Sequence, residues 1–362
     1  MKQVYLYERI YHDLLREIQS GAFKNGKLLP TERELSARYE VSRITAKKAF
    51  DMLAADGLIV RVAGKGTMLT KTAKKEKNIA HKLIGAIFCD IDSAFGDQVL
   101  LGMEAAAAAL GCSIIFKRSF DVPENEDRLL VELMDLGVAG IIVHNCHGDY
   151  SKSLMRLYCD DFPVISIDRY TDRLPIPGVS SDHYGAAMEG AAHLFELGHR
   201  HILYLSSPVE GTSTLADRLE GFRQAHIRQH RSMNPASFIL DIASHQARLP
   251  EVIAAEVERI CSVLRENPEI TALFASERYI ASLAQQAVVS MDKRIPEDYS
   301  LICFDHEKTY DEVPAVTHML QDQERIGATA VEKLAEMIAG RKPEVKTIFE
   351  AALVKGRSTA EV

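Results

Sequence analysis

Arg43, Ile44, Lys47, Lys48 and Lys65 carry the chemistry of the first seventy residues. On the helix expected from Ser42 onward, Ala46, Ala49, Phe50 and Leu53 fall at i, i+3, i+4 and i+7 and form one apolar stripe. At about 100° per residue, Ile44 and Lys48 then face the opposite side, flanked by Thr45 and Lys47. A guanidinium at the helix N-terminus, from Arg43, reaches a guanine edge or a phosphate, and an exposed Ile44 suits a thymine methyl. Lys47 and Lys48 supply charge for phosphates, which gives affinity without sequence information. Lys65 lies between Gly64 and Gly66, whose permissive backbones suit a tight turn, so it tips a hairpin and meets a groove or a phosphate.

A second set of polar residues recurs where short apolar runs end. These are Asp90, Asp92 and Ser93; His144 and Asn145; Asp168 and Arg169; Ser276 and Glu277; and Asp305 and His306. In open parallel sheets ligands bind beyond the carboxyl ends of the strands. Carboxylates, amides and arginines gathered there suit a small polyhydroxylated ligand, whose hydroxyls both donate and accept.

Three segments must position these groups. In residues 1–70, Ile10, Leu14 and Ile18, widened by Tyr7, Tyr11 and Leu15, mark a first helix that Gly21 stops. Thr31 opens a second helix with a capping box completed by Glu34, Glu40-Val41 make the turn, and Ser42 caps the third. Two wing strands follow, Leu58–Val62 and Thr67–Leu69. Residues 71–82, lysine-rich and with almost nothing to bury, read as a flexible basic linker. In residues 83–362, strands are expected at Ile84–Phe88, Ser113–Phe116, Gly140–Val143, Val164–Ile167, Ile202–Leu205, Ala272–Phe274 and Leu301–Phe304. Helical patterns such as Ala186–Leu197 and Arg325–Ala339 fill the gaps, so the expectation is an α/β body of parallel sheets in two lobes.

Charge divides the chain at the same place. Residues 1–82 hold 17 Lys+Arg against 9 Asp+Glu, and the remainder holds 26 against 42. A cationic head on an anionic body confines contact with DNA to the head. No apolar run approaches the length of a membrane span, and Met1–Tyr5 has no hydrophobic signal core, so a cytoplasmic location is expected. The six cysteines show no paired metal spacing, sit mostly in apolar surroundings and read as buried thiols. His193, His199 and His201 lack a completing carboxylate or cysteine, and Leu197-Gly198-His199-Arg200 reads as a helix end with basic residues. His144-Asn145-Cys146-His147 is set aside as a metal site, and no metal or cofactor is expected.

Two resemblances sharpen these readings. Leu29–Leu35, Val41–Thr45, Asp56–Ile59 and Gly64–Thr67 resemble the winged helix-turn-helix of the GntR family of bacterial regulators. That resemblance implies DNA contacts at Arg33, Ser42, Arg43, Ile44, Thr45, Lys47 and Gly64. Lys47 stands where that family commonly has an arginine, and a lysine cannot make the planar two-pronged base contact. From Ile84-Gly85 through Ile167-Asp168-Arg169, Val179–Asp182 and Arg218–Phe222 to Val316-Thr317, the body resembles the effector domain of the lactose-repressor family. This is a two-lobed, periplasmic-binding-protein-like fold.

The second resemblance implies three crossovers between lobes, dimerisation, and a sugar-sized ligand held by Arg218 above all. Asp305, Ser276, Asp168, Asp90, Phe95 and Gln321 follow, beside His144 and Arg169 from the strand ends. Ser276-Glu277 replaces the Asn-Asp pair of many relatives. With no tryptophan in the chain, stacking on a sugar falls to Phe95, Tyr170 or Tyr279. The pairing of such a head with such a body resembles the arabinose-responsive repressors of bacilli. It implies a homodimeric transcriptional repressor, released from a palindromic DNA operator by a small sugar, L-arabinose being the first to consider. Within regulators, activation, or a nucleobase or phosphosugar effector, stays open. A transport protein would need an export signal and an enzyme a catalytic constellation; neither is visible in the sequence.

Overall fold

Thr31 shows how local chemistry starts an element. Its hydroxyl accepts from the Glu34 N–H (3.2 Å) while its own N–H donates to the Glu34 carboxylate (2.6 Å), the expected capping box. In the computed structural model the described residues are 6–19, 28–55, 59–62, 66–69, 82–92, 94–146, 151–170, 174–230, 233–243, 249–306 and 313–362. Side chains 15, 16, 18, 19, 62 and 69 are outside that description, as are Gly21, residues 70–81, Ser93 and His147. The chain forms two compact units, Met1–Lys77 and Asn78–Val362.

The first unit holds α1 (Leu6–Gln19), α2 (Glu32–Arg38), α3 (Arg43–Ala55), β1 (Ile59–Val62) and β2 (Gly66–Leu69). Ile10 and Leu14 of α1 meet Leu35 of α2 and the expected stripe Ala46, Ala49, Phe50 and Leu53 of α3 in one core. Between α2 and α3, Glu40 adopts a left-handed φ of 52°, and the Ser36 hydroxyl donates to the Val41 carbonyl. β1 and β2 pair antiparallel with Val62 opposite Gly66.

The second unit contains two six-stranded sheets. The first comprises β3 (Leu83–Phe88), β4 (Ser113–Arg118), β5 (Ile141–Val143), β6 (Val164–Ile167), β7 (Gly178–Ser181) and β13 (Lys346–Phe349), in the order β13-β7-β6-β5-β3-β4. The second comprises β8 (Ile202–Leu205), β9 (Phe238–Ile239), β10 (Ala272–Ala275), β11 (Ser300–Phe304), β12 (Thr317–Leu320) and β14 (Ala352–Val354), in the order β14-β12-β11-β10-β8-β9. All pairings in the two sheets are parallel except β12 with β14. Apolar clusters cover both faces of each sheet, which is why the central strands read as uninterrupted apolar runs.

Helices α4 (Asp97–Ala109), α5 (Pro123–Asp135) and α6 (Lys152–Cys159) flank the first sheet; α8 (Ser213–Arg228), α9 (Pro250–Glu266) and α10 (Arg278–Ser290) flank the second. The remaining two helices change lobes. After β7 the chain crosses at Asp182 and α7 (His183–Glu196) packs on α8 in the second lobe. After β12 it returns, and α11 (Gln323–Ile338) packs on α4 in the first. A third crossing joins β13 to β14, and the Asp182 N–H donates to the Phe349 carbonyl (2.8 Å), tying the first crossing to the third. The α4–α11 contact is backbone to backbone: a Cβ on Gly102 would lie 1.9 Å from the Glu324 carbonyl oxygen, and one on Gly327 2.0 Å from that of Val99. The carboxyl ends of the strands therefore open on a cleft bounded by both lobes.

Candidate nucleic-acid interface and ligand cleft

In the head, burying the α3 stripe turns the other face outward. Ile44 is 79% exposed, and Arg33, Ser42, Arg43 and Lys47 are exposed with it, while Thr45 is half-buried. The Ser42 hydroxyl accepts from the Thr45 N–H (3.2 Å) and shares a hydrogen bond with the Thr45 hydroxyl (2.9 Å). That fixes the N-terminal turn of α3, whose free N–H groups and dipole favour a phosphate. Lys48 is committed elsewhere: its ammonium sits 3.8 Å from the centre of the Tyr7 ring, a cation–π contact that fastens α3 to α1. Gly64 and Lys65 lie outside the described residues.

In the body, a cavity of about 360 Å³ lies between the lobes. The first lobe contributes Asp90, Asp92, Phe95, Arg118, Asp121, His144, Asp168 and Arg169; the second contributes Thr214, Arg218, Glu277, Arg278, Tyr279 and Asp305. Many of these groups are already organised. Arg118 pairs with Asp90, and Asp92 accepts from the Ala94 and Phe95 N–H groups, shaping the loop before α4. Arg169 donates to the Cys146 carbonyl (2.8 Å) and lies 3.3 Å from Asp121. Asp305 is held by the Gln321 amide (2.9 Å), and burial, partly offset by Arg218, raises its pKa to about 7.

A continuous polar chain runs beneath this cavity from one lobe to the other. Arg218 donates through Nη1 to the Ser276 carbonyl (2.7 Å) and through Nε to Nδ1 of His183 (3.2 Å), with its guanidinium 4.0 Å from the centre of the Phe304 ring. A guanidinium only donates, so His183 Nδ1 must accept and Nε2 must carry the hydrogen. Nε2 then donates to Asp168 Oδ1 (3.1 Å). Burial and Arg218 both lower the His183 pKa, in agreement with a neutral ring. Burial would raise the Asp168 pKa, but His144 and His183 hold it well below the usual carboxylate range. Such a chain presents fixed donors and acceptors to a ligand, and Arg218 keeps hydrogens that its two protein partners do not use.

Comparison with known proteins agrees with this geometry. Residues 6–69 match the bacterial regulatory proteins of the gntR family, and residues 191–359 match the periplasmic binding protein-like domain. The chain joins a GntR-family helix-turn-helix head to a periplasmic-binding-protein-like body. The arabinose metabolism transcriptional repressor of Geobacillus stearothermophilus is 25% identical over 369 residues, covering 98% of each chain. The ribose operon repressor of Halalkalibacterium halodurans is 26% identical over 307 residues, covering 84% of this chain and 87% of that one. Among solved structures, the transcription regulator CcpA of Lactococcus lactis aligns with a TM-score of 0.67 and 19% identity, covering 77% of this chain and 99% of that one.

Within the periplasmic-binding-protein-like body, Asp90, Phe95, His144, Asp168, Arg169, Arg218 and Asp305 converge on the cleft as expected, whereas Ser276 and Gln321 stand behind it. Ser276 is buried and acts on Arg218 through its carbonyl, and Gln321 acts on Asp305. Tyr170 is turned away: its hydroxyl donates to Asp217 (2.9 Å) and its ring borders a different cavity beside β7 and β13. Phe95 and Tyr279 are the aromatic residues of the three that face the cleft.

The helix end expected at Leu197-Gly198-His199-Arg200 exists, with Leu197 closing α7 and Gly198 at a φ of 96°, while His199 itself is buried between the Thr271 hydroxyl (2.8 Å) and the Ala360 carbonyl (3.1 Å), and burial lowers its pKa. Five of the six cysteines are buried as expected and Cys159 is exposed; of the buried ones, Cys89 faces His144 and Cys146 faces Ser119. Sequence reading also missed Arg118 and Asp121, because β4 runs two residues past its apolar core. It missed His183 as well, which follows Asp182 directly in a motif already noted. Among the described residues no His, Cys, Asp and Glu side chains group as a metal site, and no helix is long and apolar enough to cross a membrane.

Proposed function

We propose that this chain is a sugar-responsive transcriptional repressor of the cytoplasm. As a homodimer it binds a palindromic operator through two heads and leaves that operator when a small carbohydrate enters the cleft. The observation that carries the reading is the union, in one chain, of an exposed α3 face bearing Arg43, Ile44 and Lys47 with a polar cleft shared by two lobes. The relatives named for arabinose and ribose repression support a pentose, and the one aligned along 98% of its length makes L-arabinose the first candidate.

In the head, Arg33, Ser42, Arg43, Ile44, Thr45, Lys47, Gly64 and Lys65 meet DNA. Arg43 and Ile44 read bases, and Lys47 neutralises phosphate. Two half-sites require two heads, which a dimer supplies. In the body, hydroxyls of the sugar donate to Asp90, Asp168 and Asp305 and accept from Arg169 and Arg218. Because these groups come from both lobes, the ligand favours one lobe arrangement over another, and that difference in affinity is the whole driving force for release. A 100-fold loss of operator affinity requires about 2.7 kcal/mol of coupling. The work is binding, not turnover.

A thermal-shift screen of the full chain against pentoses, hexoses and nucleosides tests the ligand class, since a ligand bound only by the folded body raises its melting temperature. A shift with a pentose supports the reading; a shift with nucleosides alone would overturn the sugar assignment.

A further inference from the structure

Cys89 ends the first strand of the body, and its sulfur faces an imidazole at the wall of the cleft. Sγ lies 3.3 Å from Nδ1 of His144, and Nε2 of His144 lies 3.3 Å from Oδ2 of Asp168. All three side chains line the cavity of about 360 Å³. A thiol, an imidazole and a carboxylate in that order are the parts of an activated sulfur nucleophile. The carboxylate orients the ring and steadies its charge, and the ring takes the thiol proton. Asp168 is itself immobilised, since its other oxygen accepts from His183 (3.1 Å). Burial pulls the His144 pKa down, but the facing Cys89 sulfur and the Asp168 carboxylate outweigh it and raise it to about 9. An imidazole so placed, backed by a carboxylate, is set to take the proton of the facing thiol. By contrast, Cys146 sits against Ser119, with burial pushing its thiol pKa up, and Cys159 is exposed without this arrangement.

We propose that Cys89 captures a small hydroxylated aldehyde in the cleft as a reversible thiohemiacetal, with His144 as the proton carrier and Asp168 as its positioning residue. The sulfur adds to the carbonyl carbon and forms an S–C bond. The C=O π pair moves onto oxygen, which takes the proton that His144 received from the thiol. The product is neutral; nothing leaves, no electrons are exchanged with another reagent, and reversal returns the aldehyde unchanged. The rest of the wall selects the class of carbonyl compound. Asp92, Asp121, Arg169 and Arg218 accept from and donate to hydroxyls, so a hydroxylated aldehyde fits better than an apolar electrophile. The inference rests on the cleft being a site for polyhydroxylated ligands, and adds that one ligand carbon is a free carbonyl. That carbon has two sources: the open-chain form of an aldose, or a short hydroxyaldehyde.

The full chain is first treated with iodoacetamide at pH 7 and digested for mass spectrometry. Cys89 is expected to be alkylated about tenfold faster than exposed Cys159, with the advantage lost in His144→Gln. The chain is then mixed with glycolaldehyde or L-arabinose carrying ¹³C at the aldehyde carbon. A tetrahedral-carbon resonance with the linewidth of the protein, distinct from hydrate and ring forms, is expected in wild type and Cys159→Ser and absent in Cys89→Ser. A signal with glycolaldehyde alone assigns the short aldehyde; a signal with both assigns the aldose as well. No such resonance with either compound overturns the capture, as does preferential alkylation of Cys159. L-Arabinitol, which has no carbonyl, separates the two ideas. Equal thermal shifts by arabinitol and arabinose without an adduct leave the cleft reading standing and sink the capture; an adduct with glycolaldehyde but no shift by either arabinitol or arabinose sinks the cleft reading instead.

Discussion

Replacing Arg218 with lysine keeps a positive charge in the cleft and removes the planar fork, so it isolates what the fork does. Arg218 spans two acceptors that face it from different sides, the Ser276 carbonyl at 2.7 Å and His183 Nδ1 at 3.2 Å. One ammonium cannot sit within hydrogen-bond range of both while also reaching a ligand. His183 is 1% exposed, so leaving its Nδ1 unpaired costs about 1–3 kcal/mol. Losing a charge-assisted hydrogen bond to the sugar costs about 1.5–3 kcal/mol more. Part of the first cost falls on free and bound protein alike, so about 3 kcal/mol remains as lost affinity, or roughly two orders of magnitude in Kd. Calorimetric titration of the variant with the sugar that shifts the wild-type melting temperature measures it directly. DNA affinity without sugar should stay unchanged, because Arg218 belongs to the body and the DNA-reading face to the head. A sugar Kd within about threefold of wild type would refute the assignment of Arg218 to the ligand.

Three further expectations follow from single features. Lys47→Ala should weaken binding to all DNA sequences alike and reduce the slope of log affinity against log salt by about 0.9; loss confined to the selected site would make Lys47 a base reader. Gly327→Ala should destabilise the body by about 1–3 kcal/mol in urea unfolding, since the new Cβ would lie 2.0 Å from the Val99 carbonyl oxygen; an unchanged midpoint would contradict the close α4–α11 contact. His144, raised from 6.5 to about 9 by the Cys89 sulfur and Asp168 against the opposing effect of burial, stabilises the fold fully below pH 6.5 and loses that contribution as pH rises through 9. Urea unfolding should therefore show up to about 3 kcal/mol less stability at pH 9 than at pH 6.5, a loss that His144→Gln removes; an undiminished loss in the variant would contradict this.

What the sequence disclosed depended on how each segment is buried. The seven strands expected from apolar runs all exist, because a central parallel strand covered on both faces must be apolar along its length. Of the five body strands that were not expected, β12, β13 and β14 have other reasons to be polar. β13 and β14 lie at sheet edges and alternate or stay half-exposed, and β12 carries Thr317 and His318, whose side chains bond to Thr359 and to the Val316 carbonyl. The α3 face was legible because its buried stripe dictates the opposite side. The cleft was legible only as a set of strand ends. Whether a residue there faces the ligand or holds a neighbour depends on side-chain direction, which spacing does not encode: Ser276 and Gln321 became supports, and Tyr170 faces another cavity. Cys89 and His183 escaped for a related reason. Their polar partners lie 55 and 15 residues away and meet them only once two strands and a crossover are in place.

The central claim is that a sugar in the cleft loosens the hold of the head on DNA. Its most direct measurement is fluorescence anisotropy of a labelled duplex, selected by the full chain from a random-sequence pool, titrated with L-arabinose and with other pentoses. The account predicts a palindromic selected site and a fall in affinity of about 100-fold at saturating sugar, corresponding to about 2.7 kcal/mol of coupling. A sugar that raises the melting temperature of the body yet leaves DNA affinity unchanged would contradict it.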